Sequence, residues 1–82
     1  MDIEEAGRQL GSKLCNIVRH VIDTNVWWGT DGVQHLFVYV DVMSLHDVHE
    51  VIHKILKEIG DVQFEGHVIC LDLPKNLEFY AL

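Results

Sequence analysis

Residues 35–62 place a strand-like pattern directly before a helix-like one, and this change of period constrains the fold more than any other feature of the sequence. In the stretch HLFVYVDV, aliphatic residues at even positions alternate with histidine, aromatic and acidic residues at odd positions. Strict alternation is typical of a strand with one buried face. We therefore expect the even-numbered side to belong to the core, with Leu36, Val38, Val40 and Val42.

The helix-like pattern begins with a capping box. Ser44 can accept a hydrogen bond from the amide of Asp47, and the Asp47 carboxylate can reach back to the amide of Ser44. Apolar residues then recur every three or four positions, which predicts a buried stripe. The stripe consists of Leu45, Val48, Ile52, Ile55, Leu56 and Ile59. Gly60 is placed to end this helix in a left-handed cap.

Residues 2–22 carry a similar apolar stripe and predict a first helix that ends at residues 23–25. Gly7 and Gly11 lie beside the stripe, four positions apart. Each lowers helix propensity by up to ~1 kcal/mol relative to alanine. Two interpretations stay open: another element approaches the backbone closely there, or glycine is simply tolerated near a helix end.

The remaining segments predict strands. Residues 26–43 form two extended runs around the turn sequence GTDG, which predicts a hairpin. A further strand lies in residues 61–74, with an irregularity at Gly66. Residues 75–82 form an edge strand or a tail.

The resulting order, α-β-β-α-β, predicts one α+β domain over residues 1–82. We expect a three- to four-stranded antiparallel-type sheet with two helices packed on one face. Half of a ferredoxin-like fold, or a related two-layer sandwich, has this arrangement.

Charge and composition disfavour several classes of function. Thirteen Asp and Glu against six Lys and Arg give a formal net charge of −7, which repels a phosphate backbone and disfavours direct nucleic-acid binding. The N-terminal residues do not resemble a signal peptide, and no apolar run approaches the ~18 residues of a membrane span. Cys15 and Cys70 are too few for a disulfide scaffold and are expected to be free thiols. These features predict a cytoplasmic protein that does not bind membranes.

Aromatic residues predict an interaction surface. If both helices cover the aliphatic face of the strand at 35–42, Phe37 and Tyr39 remain on the other face. One of the adjacent tryptophans, Trp27 or Trp28, joins them there. Exposed apolar patches usually mark partner or self-association surfaces, so we expect a homodimer. In the alternative, Leu77, Phe79 and Leu82 fold back over the patch.

Three histidines, His46, His49 and His53, fall within about 60° of one another on the second predicted helix; we call them the histidine ridge. His49 and His53 have the i, i+4 spacing by which one helix can offer two imidazoles to zinc. A further ligand must come from elsewhere: His35, His67, Cys70 or Asp72. Imidazole also suits the border between core and solvent, and clustered imidazoles can form a pH-sensitive surface. We expect the three imidazoles to lie at the border between core and solvent rather than to form a physiological metal site.

The stretch HLFVYVDVMSLHDVHEVIHKILKEI, followed by GHVICLDLP, is similar in pattern to the cytosolic C-terminal domain of cation diffusion facilitators. The similarity covers about half of the chain. It implies an α-β-β-α-β unit that dimerises and binds divalent metal. The basic segment that usually precedes the second strand in that family is replaced here by NVWWGTDG. A metal-responsive regulatory domain that uses the histidine ridge is therefore the alternative function.

The sequence contains no dinucleotide-binding G-x-G-x-x-G, no P-loop and no G-x-S-x-G nucleophile elbow. GTDG does not predict a phosphate site, because no helix follows it directly. We therefore expect a non-catalytic protein-protein interaction module without a cofactor, such as a small inhibitor or adaptor encoded by a phage or another mobile element. Its expected partner is a basic surface of a nucleic-acid-handling protein, contacted through the aromatic face and an acidic rim.

Overall fold

A computed structural model describes residues 3–62 and 64–80 and has an α+β fold with two helices and one four-stranded sheet. The helices are α1 (Ile3–Ile17) and α2 (Leu45–Val62). The strands are β1 (Val21–Trp28), β2 (Gln34–Val40), β3 (His67–Asp72) and β4 (Leu77–Tyr80). The predicted α+β class is confirmed. Of the two interpretations of the C-terminal segment, the edge strand is confirmed for Leu77–Tyr80, and residues 81–82 lie outside the described residues.

The sheet has the order β1-β2-β3-β4. The β1–β2 and β3–β4 pairs are antiparallel, whereas β2 and β3 are parallel. Parallel neighbours need a crossover connection, and α2 provides it by returning the chain to the end of the sheet at which β2 began. The sheet is therefore mixed, with antiparallel pairs at both edges and a parallel pair at its centre.

Both helices pack on the same face of the sheet. The even-numbered residues of β2 are buried there, as the alternation predicted. One core cluster joins them to Leu10 and Leu14 of α1 and to Val51 and Ile55 of α2. Val68 and Cys70 of β3 belong to the same cluster. This arrangement leaves the odd-numbered side of the central strands without a helix.

Helix α1 ends earlier than predicted. Residues 18–20 lead into β1, whose Val21 is paired with Val40 and whose Thr24 is paired with Val38. The prediction of a helix to residue 22, ended by residues 23–25, is therefore wrong. Val21 continues the helical spacing of the apolar stripe, but pairing along the whole of β2 satisfies more backbone groups than one further helical turn.

The glycines of α1 allow the helix to lie close to the sheet. A Cβ on Gly7 would lie 2.5 Å from Gln34 Nε2, and one on Gly11 would lie 2.5 Å from Thr24 Oγ1. Of the two interpretations of these glycines, the structure supports close approach.

The capping box of α2 is present in a modified form. The amide of Asp47 donates to Ser44 Oγ at 3.2 Å, while Asp47 Oδ2 accepts from the amide of Met43, at 3.3 Å, rather than from that of Ser44. The helix then continues through Gly60 to Val62. The predicted left-handed cap at Gly60 is wrong, because positive φ angles among the described glycines occur only at Gly32 and Gly66.

Two members of the predicted stripe of α2, Leu45 and Leu56, are exposed. The buried residues of the helix are Val51, Ile55 and Ile59. The stripe that reaches the core is therefore narrower than the predicted one.

The GTDG turn agrees with the sequence prediction, whereas the predicted strand over residues 61–74 is too long: α2 includes residues 61–62, and Gly66 lies just before β3 rather than within a strand. The GTDG turn closes the hairpin, with the amide of Gly29 donating to Val33 O at 2.9 Å and Gly32 at φ 78°. Gly66 has φ 150°, and a Cβ there would collide with Gln34 O. Glycine at position 66 thus lets the chain pass close to β2 before β3 begins.

Candidate functional site

The sheet face turned away from both helices is the candidate site, and we call it the open sheet face. Residues paired in register on neighbouring strands point to the same side. Three cross-strand rows of described side chains therefore form it. The rows are Trp27, His35 and His67; Asn25, Phe37 and Ile69; and Asp23, Tyr39, Leu71 and Glu78.

Aromatic and aliphatic side chains occupy the centre of the open sheet face. Phe37 and Tyr39 are half-buried between their neighbours, and Ile69 is 9% exposed. The His35 ring stacks on Phe37 with ring centroids 6.4 Å apart and planes 20° apart. Trp27, on the edge strand β1, is 63% exposed. The centre is thus packed side by side, while one large aromatic side chain projects from its edge.

Three of the four predicted interaction residues, Trp27, Phe37 and Tyr39, lie together on this face. Trp28 is paired with Gln34 and therefore points to the helix side of the sheet. It borders a separate small cleft there, beside Gly66. Adjacent residues of a strand alternate between faces, so only one of the two tryptophans can join Phe37.

Leu77 and Phe79, two of the three residues that the folding-back alternative named, do not cover the open sheet face, because they lie opposite Asp72 and Cys70. Strand β4 pairs with β3 at the sheet edge, and Phe79 lies opposite Cys70, on the helix side. Phe79 packs against the core cluster. Leu82, which the folding-back alternative also included, lies outside the described residues.

The charges around the open sheet face are acidic. Asp23 and Glu78 stand at opposite ends of one cross-strand row. Asp31 lies in the β1–β2 turn, and Asp41 directly follows β2. None of the six Lys and Arg residues lies in a strand: they are Arg8, Lys13, Arg19, Lys54, Lys57 and Lys75. The open sheet face therefore combines an apolar centre with a rim of negative charge.

One corner of the open sheet face brings two imidazoles and a carboxylate together. The rings of His35 and His67, paired in register across β2 and β3, meet edge to face with centroids 5.0 Å apart and planes 84° apart. Asp31 Oδ1 lies 4.0 Å from His35 Nε2. His35 and His67 were expected only as further ligands of the histidine ridge. Their contact with each other follows from the parallel register of β2 and β3, which the sequence does not indicate. The i, i+4 spacing of Asp31 and His35 across the turn was the only signal for the third member.

The histidine ridge lies on the solvent side of α2, where His46, His49 and His53 are all exposed. The further ligands considered for it lie elsewhere. Cys70 and Asp72 are buried in the sheet, whereas His35 and His67 belong to the open sheet face. Within residues 3–62 and 64–80, no group of three or more His, Cys, Asp or Glu side chains could hold a metal ion.

Cys70 and Asp72 are buried, and their surroundings indicate a role in the fold rather than in a site. Burial raises the pKa of the Cys70 thiol to about 12, so the thiol stays protonated at neutral pH. Asp72 is 1% exposed, and its Oδ2 lies 3.6 Å from Lys75 Nζ. Lys75 Nζ also donates to Val42 O at 2.9 Å. Lys75 thereby ties the turn after β3 to the segment after β2.

Comparison with known proteins gives no relative from which a function could be taken. No family model matches the chain, and no curated protein or solved structure matches it. The similarity of pattern to cation diffusion facilitators stays an expectation. In the part of the chain that the structure describes, neither helix has the length and apolar character needed to cross a membrane.

Proposed function

We propose that this protein is a non-catalytic interaction module that binds a basic protein surface through its open sheet face. The proposal rests on one observation: a sheet face that neither described helix covers combines a packed aromatic centre with an acidic rim. The sequence also predicts a homodimer through the same face. A second copy of the chain is therefore the alternative partner for the open sheet face.

The apolar centre supports binding of a macromolecule. Interfaces are enriched in aromatic residues, and a few desolvated aromatic anchors usually carry most of the binding energy. Trp27 is exposed and can enter a pocket of a partner, while Phe37 and Tyr39 are already packed against their neighbours beside it. Because these two side chains are already ordered, they lose little conformational entropy on binding.

The distribution of charge supports a basic partner over a second copy of the chain. All six Lys and Arg residues lie outside the strands, so a facing copy would present the same acidic rim without a compensating cation on its sheet face. Complementary charge speeds association, whereas like charge at an interface opposes it. Proteins that handle nucleic acids present basic surfaces to phosphate. We therefore propose a nucleic-acid-handling protein as the partner class.

A cytoplasmic location belongs to the same proposal. The free thiols Cys15 and Cys70 agree with a reducing compartment. The alternative of a metal-responsive domain has less support, because the histidine ridge stands apart from the other candidate ligands.

The test is an affinity capture from the native host, followed by binding kinetics with each captured protein. Trp27→Ala should raise the off-rate, whereas Leu56→Ala should leave it unchanged, because Leu56 is an exposed apolar residue of α2 on the other side of the sheet. Affinity should fall as salt rises from ~50 to ~500 mM, mainly through a slower on-rate, because screening shortens the reach of the rim charges to ~10 Å or less.

Capture of only neutral or acidic proteins, or equal effects of the two substitutions, would count against the proposal. So would light scattering that shows a stable dimer which Phe37→Glu converts to a monomer. In that case a second copy of the chain, and not a basic partner, occupies the open sheet face.

A further inference from the structure

A shallow cleft of about 470 Å³ opens at one end of the open sheet face, beside the β1–β2 turn. Its lining combines apolar side chains of three strands with the polar groups of the turn. These residues are Trp27, Gly29, Thr30, Asp31, His35, Phe37 and Ile69. An exposed indole and a carboxylate thus border the same cleft.

The Asp31 carboxylate is held in place by the turn. Its Oδ1 accepts a hydrogen bond from the amide of Val33 at 3.0 Å and lies 4.0 Å from His35 Nε2. A Cβ on Gly29 would lie 2.6 Å from Asp31 Oδ1 and 2.8 Å from His35 Nε2. Glycine at position 29 therefore makes room for the carboxylate and the imidazole to lie over the turn. The Asp31 side chain remains 57% exposed and can accept a further hydrogen bond.

An exposed indole beside a carboxylate favours an arginine side chain as the ligand of the cleft. A guanidinium is planar, stacks on an aromatic ring and offers a fork of donors to a carboxylate. A lysine ammonium is a compact, strongly hydrated point charge without that fork. An anion is disfavoured, because no Lys or Arg residue lines the cleft. An apolar side chain would remove water from the carboxylate without offering it a further hydrogen-bond donor.

We infer that the cleft binds one arginine side chain of the partner, stacked on Trp27 and paired with Asp31. This inference rests on the proposed function, since the arginine belongs to the basic surface that the open sheet face binds. It specifies that surface further: an arginine must project where the partner faces the β1–β2 turn.

The test is an NMR titration of the intact protein with acetyl-arginine amide, with acetyl-lysine amide and acetyl-citrulline amide as matched probes. The indole N–H signal of Trp27 should shift saturably with the arginine probe, and the signal of Trp28 should not, because Trp28 lies on the other face. The lysine probe should bind several-fold more weakly, and the uncharged citrulline probe should give no saturable shift.

Asp31→Asn is the informative variant, because an asparagine Oδ1 can still accept from the Val33 amide and preserve the turn. It should weaken arginine binding several-fold, while Asp61→Asn, an exposed carboxylate of α2, should not. Equal binding of the arginine and lysine probes, equal effects of the two variants, or no shift of the Trp27 indole would each overturn the inference.

The same variants separate this inference from the proposed function. If a basic partner binds in a Trp27-dependent way but its affinity is insensitive to Asp31→Asn, the open sheet face is the interface and the arginine site is refuted. If the arginine probe binds at Trp27 and no basic partner is captured, the cleft is supported and the proposed function fails.

Discussion

Gly11 of α1 faces Thr24 of β1 so closely that a Cβ on Gly11 would lie 2.5 Å from the Thr24 hydroxyl oxygen. Thr24 Cβ, at 3.1 Å from the same position, leaves no free space behind the hydroxyl. A β-branched side chain in a strand has few alternative rotamers with which to move away. The absence of a side chain at position 11 therefore lets α1 pack closely against β1, the strand that carries Trp27.

Gly11→Ala should destabilise the protein although alanine is the better helix former. Overpacking costs about 1–3 kcal/mol, which exceeds the gain of up to ~1 kcal/mol in helix propensity. Gly60→Ala is the matched control, because a Cβ at this position of α2 meets nothing within 4 Å. Urea unfolding should show a loss of stability for the first variant and a gain for the second. A gain in both would refute the close approach of α1.

Core and interface residues should respond differently to truncation. Leu36→Ala should lower the free energy of unfolding by about 2–5 kcal/mol, because Leu36 is fully buried between the sheet and the helices. Trp27→Ala should change it by about 0.5 kcal/mol or less, because the indole is largely exposed. Thermal or urea unfolding measures both values. A comparable loss for Trp27→Ala would mean that this side chain stabilises the fold rather than serving a partner.

The raised pKa of Cys70 predicts a loss of stability at alkaline pH. Burial raises the pKa from its ordinary value of 9.0 to about 12. Between these values the unfolded thiol loses its proton while the folded one keeps it, so the stabilising contribution present below pH 9.0 declines as pH rises. The slope from this one group is at most about 1.4 kcal/mol per pH unit.

Urea unfolding at a series of pH values measures this effect, with Cys70→Val as the control. The variant should lose less stability than the natural protein between pH 9 and pH 11, because it has no thiol to titrate. Identical alkaline losses would show that Cys70 ionises as readily in the folded state as in the unfolded one.

The histidine ridge should bind zinc only weakly. His49 and His53 offer two imidazoles, but two exposed ligands on one helix do not complete a tetrahedral site. Calorimetric titration with Zn²⁺ should give a micromolar dissociation constant or a weaker one, and replacing His46, His49 and His53 with glutamine should leave the fold intact. Saturable nanomolar binding with release of protons would revive the metal-responsive alternative.

The elements whose hydrophobic period was unambiguous could be predicted from the sequence. The alternation in β2 and the bond from the Asp47 amide to Ser44 Oγ are local signals that tertiary structure did not override, although the Asp47 carboxylate accepts from Met43 rather than from Ser44. The boundary of α1 was misjudged because Val21 fits both a helical stripe and a strand. Only its pairing with Val40, which is distant in sequence, decides between the two.

The composition of the candidate site could be predicted better than its geometry. The alternation in β2 separated Phe37 and Tyr39 from the core residues, but the choice between Trp27 and Trp28 required the register of β1 against β2. The contact between His35 and His67 required the parallel pairing of β2 and β3, which depends on the crossover through α2. The close packing of Asp31, Gly29 and His35 required the conformation of the turn.

The adjacent tryptophans allow the most direct test of the open sheet face as the binding surface. Hydroxyl-radical footprinting compares the oxidation of Trp27 and Trp28 in the free protein and in its complex with the captured basic partner. Both indoles are exposed in the free chain, and they point to opposite faces of the sheet. We predict that the partner protects Trp27 and leaves the oxidation of Trp28 unchanged. Protection of Trp28, with Trp27 still fully reactive, would contradict the assignment of the open sheet face as the interface.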